Sequence, residues 1–410
     1  MIDVQRLRSD FPMLHGKKMQ GCDLIYFDNA ATTFKPQAVR AAVDYYYTDI
    51  TCNAHRGDYD LSYTVDQAYE GTRERVARFL HAQTNEIVFT SGTSESLNLV
   101  AQGYGRKFLH EGDIVLSSES EHASCVLPWM KVCEERKAAL SFIPLDPSGH
   151  IDMDSFRAQM SDRVKVIALA MITNVLGYEA PIQEICAMAH SYGAVVVVDG
   201  AQSVPHMPID VRKLDCDFLA FSAHKMCGPT GTGVLYGKYA LLDAMDPLHL
   251  GGGSNARYDM CGNIRLKNPP FKFESGTPNI EGVLGLRAAI DYLDAVGMAN
   301  IHAYELELHH YIVKELLKMN HIIVYNPDAQ SAIITFNVKD VFAQDAATFF
   351  NANGIAVRSG QHCAKLLIDR LNTSATIRAS LYFYNTKAEA DRFLAVCAQA
   401  NMQSCLDVYF

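Results

Sequence analysis

Four stretches of the chain share one rhythm: a short apolar run, a turn of small polar residues, then a helical pattern. They are "EIVFTSGTSESLNLVAQGY" (86–104), "DIVLSSESEHASCVLPW" (113–129), "VKVIALAMITNVLG" (164–177) and "AVVVVDGAQSV" (194–204). Runs such as Val195–Val198 are continuous rather than alternating, the pattern of strands covered on both faces. The chain therefore reads as α/β, with a mostly parallel sheet and crossover helices. In such sheets ligands bind beyond the carboxyl ends of the strands. Polar residues gather at those exits: Thr93 and Ser94 after the first run, His122 after the second, Asn174 after the third, Asp199 and Gln202 after the fourth.

After "FESGTPNIEGVLGLRAAIDYL" (273–293) the pattern changes to shorter strands and amphipathic helices, as in "SAIITFNV" and "DAATFFNANG". This predicts a large domain over 21–280 and a smaller α+β domain over 281–410, with residues 1–20 packing on the smaller one.

Length and composition sharpen this picture. At 410 residues, 49% apolar and 20% charged, the chain can bury a sizeable core. A formal charge of −10 argues against nucleic acid as a partner, because phosphate binding needs clustered cations. The opening "MIDVQRLRSDFPMLHG" has neither an apolar signal core nor a transit composition, and no apolar run reaches membrane-spanning length. A cytoplasmic protein without membrane association is expected. Eleven cysteines without a C-x-x-C pair spell neither a disulfide framework nor a zinc site, so no metal is expected and most thiols should be reduced and buried.

The stretch richest in chemistry is "FLAFSAHKMCGPTGTGVLY" (218–236). Burial at a strand end lowers a lysine's pKa toward the range of an amine nucleophile or base, so Lys225 suits Schiff-base chemistry; taken alone, it reads more readily as a surface lysine than a catalytic one. Asp199, 26 positions earlier, can hold the pyridine nitrogen of pyridoxal phosphate protonated, although Asp after a strand is also a common helix N-cap. Gln202 can reach the same cofactor's 3-oxygen. "TSGTSESLNLVA" (90–101) is a phosphate cup at a helix start or a plain capping sequence. His122 suits ring stacking and proton transfer, against the usual structural role of a lone histidine. Arg358 and Arg378 are candidates for a bidentate carboxylate clamp.

Together these residues resemble the class V, fold-type I pyridoxal-phosphate enzymes, and within them the SUF-type (group II) cysteine desulfurases. The likeness runs through "FDNAATT" (27–33), "NAHRG" (53–57), "EHASCVLPW" (121–129), "TNVLG" (173–177), "VDGAQSVPH" (199–206), "SAHKMCGPTGTGVLYG" (222–237), "FESGTPN" (273–279), "RSGQHCA" (358–364) and "RASLYFYNT" (378–386). The resemblance implies a seven-stranded sheet between helices. It makes Lys225 the cofactor-binding lysine, Asp199 the ring-nitrogen partner, Gln202 the 3-oxygen contact and His122 the stacking acid/base. Thr93, Ser94, Ser222 and His224 match phosphate positions, Asn174 a cofactor or substrate contact, Arg378 the carboxylate site, and Arg358 and His55 further active-site positions. Thr277 matches a residue that reaches the neighbouring subunit's phosphate, implying a homodimer. Two departures stand out: His122 is followed by Ala123-Ser124-Cys125 where His-Ala-Asn is commoner, which adds a thiol near the cofactor, and Gln361 stands where His is commoner.

The implied reaction takes L-cysteine to L-alanine and leaves a persulfide on Cys363 for a sulfur acceptor of the SUF type, serving iron–sulfur cluster assembly. Only a thiolate is nucleophilic enough, so Cys363 needs an electropositive setting, expected from Arg358, His362 and Lys365. A selenocysteine lyase and a cysteine sulfinate desulfinase are the nearest alternatives. An aminotransferase or kynureninase-like enzyme has no need of the cysteine, and a silent carrier subunit has no need of Lys225, Asp199 and His122 together.

Overall fold

The computed structural model describes residues 2–55 and 57–409; Arg56 of "NAHRG" lies outside the described residues. Seven strands form the central sheet: β1 (Ile87–Thr90), β2 (Ile114–Ser118), β3 (Ala139–Ile143), β4 (Val164–Ala170), β5 (Val195–Asp199), β6 (Phe218–Ser222) and β7 (Gly233–Gly237). Their spatial order is β1-β7-β6-β5-β4-β2-β3. All neighbours are parallel except β7, which runs antiparallel between β1 and β6.

The residue pattern explains the depth of this sheet. Every residue of β5, β6 and β7 is buried, so the continuous runs reflect helices covering both faces. Antiparallel β7 fits beside β1 because Gly233 has no side chain: a Cβ there would lie 2.4 Å from Gly92 Cα. That approach brings the loop after β1 against the end of β6.

A second, four-stranded antiparallel sheet comprises β8 (Ile322–Val324), β9 (Ile333–Val338), β10 (Arg358–Gly360) and β11 (Thr376–Ser380), in the order β8-β9-β11-β10. Its apolar face forms a separate core around Phe336, Phe350, Ile377 and Phe393. The helix Ile280–Val296 starts at the change of pattern, and its buried face (Val283, Leu286, Ile290) joins the large core. Near the N-terminus, Arg8 Nη1 donates to Tyr384 O at 2.7 Å and pairs with Glu389, while Phe11 packs on Tyr384 and Tyr292. No helix among the described residues is long and apolar enough to cross a membrane.

Candidate active site

The carboxyl ends of the central strands and the edge of the second sheet enclose a cavity of about 340 Å³, within the usual size range of small-molecule sites. Thr93, Ser94, His122, Asn174, Asp199, Gln202, Ser222, His224, Lys225, Arg358, Cys363 and Arg378 all line it. Two of the predicted residues do not. His55 packs against Tyr69 and sits 3.3 Å from Glu70, and Thr277 is exposed. His55 instead lines an outer pocket with Glu274 and the neighbours of Thr277, Gly276 and Pro278.

The loop after β1 leads into the helix Thr93–Val100, whose first two residues line the cavity. Ser222 Oγ accepts from Thr93 N at 2.8 Å and lies 2.7 Å from Thr93 Oγ1; Ser94 Oγ lies 2.7 Å from Ser124 Oγ. Four hydroxyls from three strand exits thus form the floor of an anion cup. Ser124 belongs to the helix Ala123–Arg136, whose N-cap is His122.

His122 Nδ1 accepts from Ser124 N at 3.0 Å, which leaves the proton of the neutral ring on Nε2. Burial lowers its pKa; Asp199 opposes this, and Lys225 and Arg378 add to it. Beyond it, burial pushes Lys225 down to about 8, with Asp199 favouring the charged form and the two arginines disfavouring it. Asp199 Oδ1 accepts from Ala201 N at 2.9 Å, a bond within a turn rather than a helix cap, since the next helix begins only at Val211. Its carboxylate nevertheless faces the cavity. Behind it, burial raises Glu121 to about 7, although Ser118 Oγ and Ala170 N both donate to it.

Several polar atoms around the cavity are buried without a partner: Gln202 Oε1, Asn174 Oδ1, Arg378 Nε and His362 Nδ1. Unsatisfied buried groups are costly, and their concentration here fits a polar ligand. Pyridoxal phosphate suits the donor set: hydroxyls and a helix N-terminus for phosphate, a carboxylate for a ring nitrogen, an imidazole for stacking and an amine for the aldehyde.

Cys363 is exposed and, like His362, has a positive φ (56° and 51°), a strained conformation for residues with a Cβ. Three bonds fix its loop. Ala123 N donates to Cys363 O at 2.7 Å, Asn174 Nδ2 to His362 O at 2.8 Å, and His362 Nε2 lies 3.0 Å from Thr376 Oγ1.

The expected cations around Cys363 need correction. Burial, reinforced by Arg378, pushes His362 down to about 3, so the ring is neutral; Lys365 is engaged by Asp369. The third expected cation, Arg358, does line the cavity with Cys363, and Arg378 and Lys225 join it there. Cys125 is fully buried, and burial together with Glu121 raises its thiol pKa strongly, leaving it unreactive. Asp28 escaped the sequence reading, although it heads the "FDNAATT" stretch: it clasps Arg358 with bonds of 3.0 and 2.9 Å.

The aminotransferase class-V family profile matches residues 25–393. The chain belongs to this family. Its members use pyridoxal 5′-phosphate, and full-length likenesses place the chain among the cysteine desulfurases. A probable cysteine desulfurase of Halalkalibacterium halodurans is 44% identical over 95% of this chain and 96% of its own length. A probable cysteine desulfurase of Synechocystis is 42% identical over 95% and 93%. Among solved structures, a cysteine desulfurase from Escherichia coli superposes with a TM-score of 0.91 at 35% identity, covering 100% of this chain and 99% of its own. The apo cysteine desulfurase of Thermococcus onnurineus gives 0.92 at 37% identity, covering 97% and 98%.

Proposed function

We propose that this cysteine desulfurase converts L-cysteine to L-alanine and stores the sulfur as a persulfide on Cys363 for delivery to a SUF-type acceptor protein. The observation that carries the reading is the meeting, in one cavity, of Lys225, Asp199 and His122 from the large sheet with Cys363 and Arg378 from the small one.

Bound pyridoxal phosphate supplies a carbonyl for the substrate amine and an electron sink beside its α-carbon. The chain's residues do the rest. Thr93, Ser94, Ser222 and His224 hold the phosphate; Asp199 keeps a proton at the ring nitrogen, Gln202 meets the 3-oxygen, and His122 stacks on the ring. Arg378 and Asn174 take the substrate carboxylate end. Lys225, whose free amine is favoured by burial, takes the proton from the substrate's α-carbon and holds it for return. The Cys363 thiolate attacks the substrate sulfur: an S–S bond forms as the C–S bond breaks, and the electron pair stays on the carbon that becomes the alanine methyl group.

We also infer a homodimer in the cytoplasm, in which exposed Thr277 reaches the phosphate of the second subunit with His55 beside it. The division near residue 281 separates the cofactor-holding unit from the unit that carries the cysteine loop. The test is direct. Purified protein supplied with pyridoxal phosphate should be yellow and release alanine from cysteine, and Lys225→Ala should do neither. A colourless wild type that releases no alanine overturns the reading.

A further inference from the structure

Lys225 stands at the end of a short 3-10 turn, Ala223–Lys225, that follows β6. So short a turn closes few bonds of its own and holds its shape weakly. Met226 N and Gly228 N both donate to Ala223 O at 2.9 Å. Just beyond, Cys227 takes a positive φ of 65°, a left-handed conformation that a residue with a Cβ keeps only when its surroundings impose it. Contacts from outside the turn must therefore fix the backbone from which Lys225 projects.

They come from the stretch Thr32–Lys35. The carbonyl of His224, next to Lys225, accepts from Thr33 N at 3.0 Å, Thr32 Oγ1 at 3.0 Å, Thr33 Oγ1 at 3.2 Å and Lys35 Nζ at 3.3 Å. On the other side of Lys225, Cys227 N donates to Thr33 Oγ1 at 2.8 Å. A hydroxyl has one proton and two lone pairs, so Thr33 makes both bonds at once, giving to His224 and taking from Cys227. Thr33 is 1% exposed and Cys227 wholly buried, which keeps water from replacing either bond. Lys35 anchors the strap, donating also to Thr33 O and Thr32 Oγ1.

We propose that Thr33, backed by Lys35, is a positioning residue for Lys225: its hydroxyl bridges the turn on both sides of the lysine and sets where the amine meets the cofactor's aldehyde. Lys225 Nζ bonds to that aldehyde with loss of water, and a bond made within one cavity is as strong as the placement of its partners allows. His224 lies inside the strap, so affinity for the phosphate can shift as well. A comparison of two ligands that share the phosphate removes that shift. The inference rests on the proposed role of Lys225.

The experiment titrates the full chain, freed of cofactor, with pyridoxal phosphate and with pyridoxine phosphate, which has an alcohol in place of the aldehyde and cannot bond to an amine. The ratio of the two dissociation constants reads the covalent bond alone. In Thr33→Val the preference for the aldehyde should fall by about tenfold, the scale of one or two hydrogen bonds. Thr33→Ser keeps the hydroxyl and should stay within about twofold of the wild-type ratio. In a Lys225→Ala background, Thr33→Val should leave the ratio unchanged, because no amine remains to be placed. The proposal is overturned if the two ligands weaken together in Thr33→Val, or if the selective loss persists without Lys225. Should Thr33→Val fail to fold, Lys35→Met decides: a selective loss supports the strap, and an unchanged ratio sinks it. If wild type and Lys225→Ala give the same ratio, the lysine does not bond the cofactor, and the proposed function falls, taking the strap with it.

Discussion

The proposed role of Cys363 rests on its position in the fold more than on its neighbours in sequence. Of the eleven cysteines only Cys261 and Cys363 are exposed, and of those two only Cys363 lines the cavity with Arg358 and Arg378. Alkylation of native protein should therefore modify two thiols, with Cys363 the faster. In Cys261→Ser a single fast site should remain, checked by mass spectrometry of digested protein. Cys363→Ser should lower alanine release from cysteine by more than about 100-fold, as for removal of a catalytic nucleophile, while retaining the yellow colour. Sequence made Cys363 conspicuous and placed Arg358 beside it, but it misassigned the other two charges. His362 and Lys365 are adjacent in sequence, yet one is buried and neutral and the other is spent on Asp369. Asp28 and Arg378, 335 and 15 positions from Cys363, matter more, and only folding brings them near.

At the level of elements, the strand exits were legible because a buried parallel strand writes itself as an unbroken apolar run, and the first polar residues beyond it must face the open edge. That logic located Thr93, His122, Asn174, Asp199 and Lys225. It had no means of finding the antiparallel direction of β7, which depends on Gly233 meeting Gly92. Nor does it reveal His309, one apolar-looking position on the helix Met298–Leu316 that is wholly buried. Burial pushes this imidazole from its ordinary 6.5 down to about 4, with His310 adding to the shift. The unfolded chain thus takes up a proton below pH 6.5 that the folded chain refuses until about 4. The stability contribution is complete above 6.5 and falls as pH drops through that window, by up to ~3 kcal/mol. Urea midpoints measured at pH 7.5 and 5 should therefore differ less in His309→Leu than in the wild type.

On the scale of the whole molecule, Thr277 and His55 stand apart from the cavity that their family likeness assigns them to. The proposed two-fold assembly would resolve the separation, and it makes a sharp prediction. Light scattering should give twice the 45.4 kDa chain mass. Lys225→Ala and Thr277→Asp should each be inactive alone, yet mixed and re-equilibrated subunits should regain turnover, because one site then combines an intact Lys225 with an intact Thr277 from the other chain. No recovery on mixing would place Thr277 in its own subunit's chemistry or outside it altogether. The link from Ala123 N to Cys363 O crosses between the two sheets in a comparable way. It ties the sulfur-bearing loop to the first turn of the helix that begins at His122. A loop that swings outward to hand over its sulfur must release that turn, and its return restores the bond. Under the proposed function, sulfur transfer and the setting of His122 would share one backbone bond, so movement of the loop in handing over its cargo would be felt at the histidine.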